Sequence, residues 1–265
     1  MRAAVGGGLV AVVAVTLIWW QWGLVALIAL FLALGAHEVA AAGAHRGCRP
    51  EWWLVAVGGA GLLVVEYGGW CGPVLPVGLA GCTLLILAGW GWRLRRPVDG
   101  YLADAAATAL IVAYLPLLAT FVIAMLRTGH PVAQVATFVA CIAINDSGAY
   151  IMGSLLGRHK MVPHISPAKT WEGLAGGLVW AGVAGALLGR FALQGAWWQG
   201  AVLGVVLGAC GTVGDLVESA VKRDAGIKDM GKLLPGHGGV MDRLDSMLYC
   251  APIAWALMNL WITRA

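Results

Sequence analysis

Two short acidic motifs near the C-terminal end of the chain have residue types and a spacing that suit metal chemistry. Asp215 and Glu218 lie three residues apart, and Asp242 and Asp245 repeat that spacing. Residues three apart share one face of a helix, so each pair predicts two carboxylates at one helix end. Mg²⁺ prefers carboxylate and water oxygens and is usually held by one or two carboxylates together with substrate phosphates. The four residues are therefore candidate ligands for Mg²⁺ bound to a nucleoside triphosphate.

Basic residues and a glycine cluster fill the segment between the two acidic motifs. Eleven charged residues fall between Asp215 and Asp245, in a chain of which only 11% of residues are charged. Cationic side chains neutralise phosphate oxygens, and glycines let backbone N–H groups approach an anion closely. The alternative is a solvated loop held by salt bridges, as most charge runs are. The candidate phosphate-binding residues here are Lys222, Arg223, Lys228, His237, Gly238 and Gly239.

A second polar segment, 166–173, reads Ser-Pro-Ala-Lys-Thr-Trp-Glu-Gly. Ser166, Lys169 and Thr170 offer hydroxyl groups and an ammonium beside a predicted helix start, which are the parts needed to hold a triphosphate. The segment lacks the G-x-x-x-x-G-K-[ST] pattern of a phosphate-binding P-loop. A plain helix cap at Ser166 or Thr170 is the alternative, and capping is compatible with phosphate binding. Asp146 is a lone acid expected at the end of an earlier helix, where a structural role and a functional role are equally open.

Composition places these motifs in a membrane protein. Hydrophobic residues make up 60% of the chain and the mean hydropathy is +0.83. Only 11% of its residues are charged, whereas about 25% of the residues of a soluble domain are charged. A helix needs roughly 20 apolar residues to cross the hydrocarbon core. The long runs are apolar on every face, unlike the alternating strands of an outer-membrane barrel. The sequence predicts an all-α, polytopic integral membrane bundle of about eight or nine transmembrane helices. The runs without Asp, Glu, Lys or Arg are 3–37, 67–92, 105–126, 128–145, 173–189, 191–214 and 246–263.

Polar motifs are unevenly distributed along the chain. Residues 1–130 carry few of them and are predicted to be scaffold helices, whereas 131–265 hold nearly all of them and form the catalytic half of a single membrane domain, 1–265. The first apolar run is long enough for two helices broken near Gln21 and Gly23, and it is interpreted as a retained signal anchor because no polar cleavage region follows it. A further helix is expected through 52–65.

Charge placement predicts orientation and excludes one class of partner. Basic loops at 93–96, 158–169 and 222–232 are expected to face the cytoplasm by the positive-inside rule. The net charge of +4 is small for this length and does not indicate a nucleic-acid partner. Fourteen tryptophans near predicted span ends fit an interfacial belt among membrane lipids.

Glycines at spacing four recur in the later helices. Such ladders let helix backbones approach closely, either within one chain or across a homodimer of Gly-rich helices, with intrachain packing favoured. The ladders are Gly173 and Gly177, Gly185 and Gly189, then Gly200, Gly204 and Gly208.

The polar motifs together resemble the signature of the phosphatidate cytidylyltransferases, also called CDP-diacylglycerol synthases. Two upstream blocks, 146–150 and 166–173, are similar to further blocks of that family, and the resemblance covers 140–250. The residues that carry the signature are Ser219, Lys222, Arg223, Lys228, Asp229 and the run Pro-Gly-His-Gly-Gly-Val-Met-Asp-Arg-Leu-Asp ending at Asp245.

The resemblance implies a reaction in which CTP and phosphatidic acid give CDP-diacylglycerol and pyrophosphate, with Mg²⁺, at the cytoplasmic face of the cell membrane. It implies that Asp215 and Asp242, with Glu218 and Asp245 beside them, hold the metal. Lys222, Arg223 and Lys228 would neutralise pyrophosphate or phosphatidate, and Asp146 would support the site from a neighbouring helix. A second cation such as K⁺ is left open.

Two other readings stay open from the residues. One is a related enzyme that activates a different lipid, such as a CDP-archaeol synthase or an isoprenoid-phosphate nucleotidyltransferase, which an assay of lipid preference separates. The other is a cation or phosphate transporter, which predicts charges at mid-span and broken helices in both halves. Here the charges lie at span ends and in one half only. A CDP-alcohol phosphatidyltransferase is disfavoured because its D-G-x-x-A-R core is absent.

Overall fold

The computed structural model describes residues 2–231 and 238–261, and for residues 2–6 and 9 it describes the backbone. Within these ranges the chain forms ten α-helices and one two-stranded antiparallel sheet. The elements are α1 (Arg2–Trp19), α2 (Gln21–Ala44), α3 (Trp52–Gly68), α4 (Val74–Arg93), α5 (Tyr101–Tyr114), α6 (Pro116–Leu126), α7 (Pro131–Leu156), β1 (Lys160–Val162), β2 (Ser166–Thr170), α8 (Trp171–Phe191), α9 (Trp197–Asp224) and α10 (Met241–Trp261).

Long apolar helices dominate the fold, which confirms the predicted all-α polytopic integral membrane class. Among the described residues, six helical stretches are long and apolar enough to cross a bilayer, and α3 is a shorter apolar helix. The expected number of eight or nine transmembrane helices stays a prediction. The six stretches are Gln21–Ala44, Val74–Arg93, Tyr101–Leu126, Pro131–Leu156, Trp171–Phe191 and Trp197–Asp224.

Helix boundaries follow local chemistry where the sequence carries a clear signal. The first apolar run breaks at Trp20, beside the break predicted near Gln21 and Gly23. Gly69 ends α3 in the left-handed conformation with φ 70°. Glycine adopts this conformation with less strain than other residues because it has no Cβ. Pro116 begins α6 and divides the run 105–126 into two helices, because proline has no N–H to donate to the preceding turn.

Two expectations about the central region are wrong in detail. Asp146 was expected at a helix end, but α7 continues to Leu156, so Asp146 lies inside the helix. The residues before α8 form a β-hairpin, in which Lys160 pairs with Thr170, in place of an irregular loop. A three-residue and a five-residue strand lie below the length at which periodicity in the sequence distinguishes a strand from a loop.

Contacts divide the chain into two compact units. One contains Met1–Arg127 together with Val221–Leu244, and the other contains Thr128–Ala220 together with Asp245–Ala265. The boundary at 127 lies beside the predicted division at 130, but the charged segment 221–244 groups with the N-terminal helices. The single membrane domain, with its scaffold and catalytic halves, stays a prediction.

The glycine ladders of the second unit lie at contacts between helices of the same chain. A Cβ added to Gly177 on α8 would lie 2.8 Å from the Asn145 carbonyl oxygen on α7. One added to Gly189 would lie 2.6 Å from the Gly200 Cα on α9. No side chain fits at either place, so the ladders allow close intrachain packing. A homodimer through the Gly-rich helices stays a prediction.

A buried ion pair organises one end of the first unit. Arg93 was grouped with a basic surface loop, but it is buried, and its Nε donates to Asp104 Oδ2 at 2.6 Å. Its other nitrogens donate to the carbonyl oxygens of Pro97 and Asp99. Because every arm of this guanidinium is engaged inside the protein, Arg93 stabilises the α4–α5 connection.

Candidate active site

Three carboxylates converge in the second unit. Ligand atoms of Asp215, Glu218 and Asp245 all lie within 4.8 Å of one another, the one such acidic group among the residues that the structure describes. Glu218 is 1% exposed and Asp245 7%. Keeping ionised carboxylates this close together and shielded from water costs free energy, unless a bound cation or a proton neutralises part of their charge. A set of hard oxygen donors of this kind fits Mg²⁺, so these residues are suited to the predicted metal.

Small residues on α9 bring its carboxylates to α10. A Cβ added to Gly214 would lie 3.0 Å from the carbonyl oxygen of Asp245, and one added to Gly211 would lie 3.6 Å from the Cβ of Ser246. The Cys250 thiol donates to the carbonyl oxygen of Leu207 across the same contact. A side chain at Gly214 would press against α10 and force the helices apart, whereas one at Gly211 would make ordinary contact, so Gly214 sets the spacing of the carboxylates.

Lys169 joins the hairpin to this cluster. Its Nζ lies 2.9 Å from Asp215 Oδ2 and donates to the carbonyl oxygen of Thr212 at 3.0 Å. The other oxygen of Asp215 accepts a hydrogen bond from Ser219 at 3.2 Å. An ammonium and three carboxylates therefore lie together, which is an arrangement that can bind a metal and a phosphate side by side.

The other residues of the polar segment 166–173 have structural partners. Thr170 caps α8, since its hydroxyl oxygen accepts from the Gly173 N–H at 3.1 Å. This confirms the cap, and substrate binding by Thr170 stays a prediction. Ser166 begins β2, where it pairs with Val162. Glu172 accepts hydrogen bonds from the backbone N–H groups of Arg158 and His159, so it ties the start of the hairpin to α8.

Asp146 is exposed on α7, and its Oδ1 accepts a hydrogen bond from Asn145 at 3.2 Å. The neighbouring Asn145 is buried against Gly177 and Gly208, where only a hydrogen would fit. The supporting role predicted for Asp146 stays a prediction.

In the first unit, Lys222 and Asp242 form a largely buried ion pair. Lys222 Nζ donates to Asp242 Oδ1 at 2.7 Å, and the two side chains are 13% and 11% exposed. The second oxygen of Asp242 accepts from the N–H groups of Gly239 at 2.7 Å and Met230 at 3.2 Å. These contacts fix the carboxylate in the first turn of α10. Its predicted role as a metal ligand stays a prediction.

The remaining predicted phosphate-binding residues differ in their exposure and in their contacts. Lys228 and Arg223 are exposed, the latter in the last turn of α9. Gly238 has φ 82°, and a Cβ there would lie 2.8 Å from Asp242 Oδ2, so only glycine fits comfortably. Gly239 donates to the same oxygen. His237 lies outside the described residues.

Comparison with known proteins identifies the family of the chain. The sequence model of the cytidylyltransferase family matches residues 1–261. The chain belongs to the cytidylyltransferase family. The chain is therefore a nucleotidyltransferase enzyme.

Several relatives carry the name phosphatidate cytidylyltransferase. The Mycobacterium leprae protein is 47% identical over 164 residues, which cover 62% of this chain and 53% of that protein. The Mycobacterium tuberculosis protein is 37% identical over 255 residues, 89% of this chain and 75% of the relative. The Brucella suis protein is 33% identical over 208 residues, 77% of this chain and 70% of the relative. The chain thus spans about half to three quarters of the length of these relatives.

The candidate site residues predicted from the sequence of this cytidylyltransferase do not include Glu38, which the structure places beside Asp242 in the fold of the first unit. Glu38, on α2, accepts hydrogen bonds from the N–H groups of Val240 and Met241. A signal was present, because a lone carboxylate in an apolar helix of a membrane protein is costly and is rarely placed without use.

Proposed function

We propose that the chain transfers the cytidylyl group of CTP to phosphatidic acid, forming CDP-diacylglycerol and releasing pyrophosphate. The observation that carries the proposal is the cluster of Asp215, Glu218 and Asp245 with Lys169 held against it. Family membership and the names of the relatives support the choice of nucleotide and lipid. The reaction serves phospholipid synthesis in the membrane in which the chain lies.

The chemistry requires positioning and charge neutralisation. A phosphate oxygen of phosphatidate bonds to the α-phosphorus of CTP, and the bond from that phosphorus to the bridging oxygen of the β-phosphate breaks, so pyrophosphate carries the electron pair away. No covalent nucleophile from the protein is needed, and such reactions depend on holding the partners in line and stabilising charge on the phosphate oxygens.

The acidic residues are assigned to the metal, and the basic residues are assigned to the phosphates. Asp215, Glu218 and Asp245, with Asp242 as a fourth candidate, would hold Mg²⁺, which when bound supplies positive charge to the phosphates. Lys169, with Ser166 and Thr170 beside it, binds the triphosphate. Lys222, Arg223 and Lys228 neutralise the pyrophosphate or the phosphatidate phosphate, and Gly238 and Gly239 allow backbone N–H groups to approach.

The decisive assay measures pyrophosphate release by the purified protein in detergent with CTP, Mg²⁺ and phosphatidic acid. We expect release that requires the lipid, together with CDP-diacylglycerol found by mass spectrometry. Matched reactions replace phosphatidate with an isoprenoid phosphate. Release with the isoprenoid phosphate alone would overturn the choice of lipid, and no release with any lipid phosphate would overturn the proposed reaction.

The proposal places the catalytic residues at the cytoplasmic face of the inner, or plasma, membrane. CTP is a charged cytosolic solute, and basic loops concentrate on the cytoplasmic side. Arg95 follows α4, whereas the exposed native Cys71 precedes it, so the two lie at opposite ends of one candidate span.

Single cysteines test this orientation in cells. With the other native cysteines replaced, an impermeant thiol reagent added outside should label Cys71, and it should label Arg95→Cys and His164→Cys only after the membrane is opened. His164 reports on the hairpin, where it is exposed. Outside labelling of His164→Cys, with Cys71 protected, would contradict the proposed orientation.

A further inference from the structure

A buried carboxylate from α2 holds the first turn of α10. Glu38 is 3% exposed, and its two oxygens accept from different backbone groups: Oε1 from Val240 N–H at 3.1 Å and Oε2 from Met241 N–H at 2.8 Å. The first N–H groups of a helix have no partner inside the helix. Glu38 therefore caps α10 from a position 202 residues earlier in the chain.

Charge and space both favour this contact. The N-terminus of a helix carries a partial positive charge that attracts a carboxylate, and two charge-assisted hydrogen bonds offset the cost of burying it. A Cβ added to Gly231 would strike Glu38, and one added to Gly239 would lie 2.5 Å from Glu38 Oε2. Both residues must be glycine for the chain to close around the carboxylate.

The capped turn also carries the ion pair of the first unit. Gly239 donates to Asp242, while the next two N–H groups, of Val240 and Met241, go to Glu38. Asp242 in turn binds Lys222 at 2.7 Å. A shift of the first turn of α10 would therefore move Asp242, and Lys222 would lose its partner.

We propose that Glu38 is a positioning residue that holds the first turn of α10, and through it Asp242 and Lys222, in the geometry that the reaction needs. This inference rests on the proposed function for the roles of Asp242 and Lys222. The N-terminal helices thereby take part in the chemistry by orienting a charged turn, without touching substrate.

Hydrogen exchange tests the contact without any substrate. Glu38→Gln keeps one acceptor oxygen and Glu38→Ala keeps none, so amide exchange in 238–245 should quicken moderately in the first variant and strongly in the second. Glu66→Gln is the matched control, because Glu66 is a buried glutamate of the same unit whose Oε1 accepts from Thr120 on α6. Exchange in 238–245 should be unchanged in that control. Unchanged exchange in both Glu38 variants would overturn the inference whatever the activity of the wild type.

Kinetics separate positioning from loss of folded protein. For Glu38→Ala we expect kcat/KM to fall about 10²-fold, the effect of a displacement of about 1 Å in an active site, with a smaller fall for Glu38→Gln. The Mg²⁺ concentration for half-maximal rate should rise in both, which a smaller folded fraction would not cause. Faster exchange with kcat/KM and the Mg²⁺ requirement both unchanged would show a capping role alone and overturn the inference. A wild type that transfers no cytidylyl group to any lipid phosphate would instead contradict the proposed function, and exchange would still decide the contact.

Discussion

Replacing Asp215 with asparagine is expected to reduce cytidylyl transfer by about 10³-fold or more while leaving the protein folded. The carboxylate lies within 4.8 Å of Glu218 and Asp245 and pairs with Lys169 at 2.9 Å, so one change removes a proposed metal ligand and the partner of the ammonium that we propose binds phosphate. A neutral amide is a poor ligand for Mg²⁺, and removing one electrostatic group from an active site costs about 10²- to 10³-fold by itself. The measurement is pyrophosphate release at saturating CTP.

Thermal unfolding distinguishes a lost metal site from a damaged fold. Without Mg²⁺, the Asp215→Asn variant should be no less stable than the wild type, because one of three repelling charges has gone. Added Mg²⁺ should raise the unfolding temperature of the wild type, since a ligand that binds only the folded state stabilises it, and should do so much less in the variant. Asp99→Asn, at an exposed position, is the matched control and should behave as wild type. Equal activity and an equal Mg²⁺-dependent shift in Asp215→Asn would refute the assignment of the metal site.

Truncation of Lys222 to alanine is expected to lower kcat/KM by about 10²-fold or more, or about 2.7 kcal/mol of transition-state stabilisation. Lys222 and Asp242 are 13% and 11% exposed, so the truncation also leaves a carboxylate in a poorly solvated place without its ammonium. Breaking such a pair on one side costs about 3–5 kcal/mol when it is fully buried, and somewhat less here. Both activity and stability should therefore fall.

A double variant separates the two effects of this truncation. Lys222→Ala combined with Asp242→Asn removes both charges, so stability should largely return while activity stays low. Arg95→Ala is the matched control, because Arg95 is an exposed cation that lies over the Trp92 ring. If activity returned together with stability in the double variant, Lys222 would be a structural residue and its proposed role in neutralising phosphate would fail.

Local signals in the sequence predicted the class of the protein and the segments that carry its polar residues. Long uncharged runs predicted membrane helices, and the break between α1 and α2, at Trp20, lies beside the break predicted near Gln21 and Gly23. The spacing of Asp215 and Glu218 placed both on one helix face, and the structure keeps them on α9. Composition and periodicity act over one or two helical turns, so a single chain segment contains all the information they need.

Packing between distant segments decided what the sequence could not. Three carboxylates from two helices share one place because Gly214 lets α9 approach α10 closely. Arg93 is a buried partner of Asp104 and not part of a basic surface, and Asp146 lies within a helix that continues ten residues beyond it.

Glu38 most clearly shows the difference between what the sequence predicts and what the packing determines. By sequence alone it was one acid at the end of an apolar run, whereas in the folded chain it caps a helix 202 residues later. The sequence by itself determined which residues carry charge and which segments are long and apolar enough to cross a membrane, since those properties are local. Only the tertiary structure decided which charges meet, because the pairing of a carboxylate with N–H groups far along the chain depends on how the helices pack.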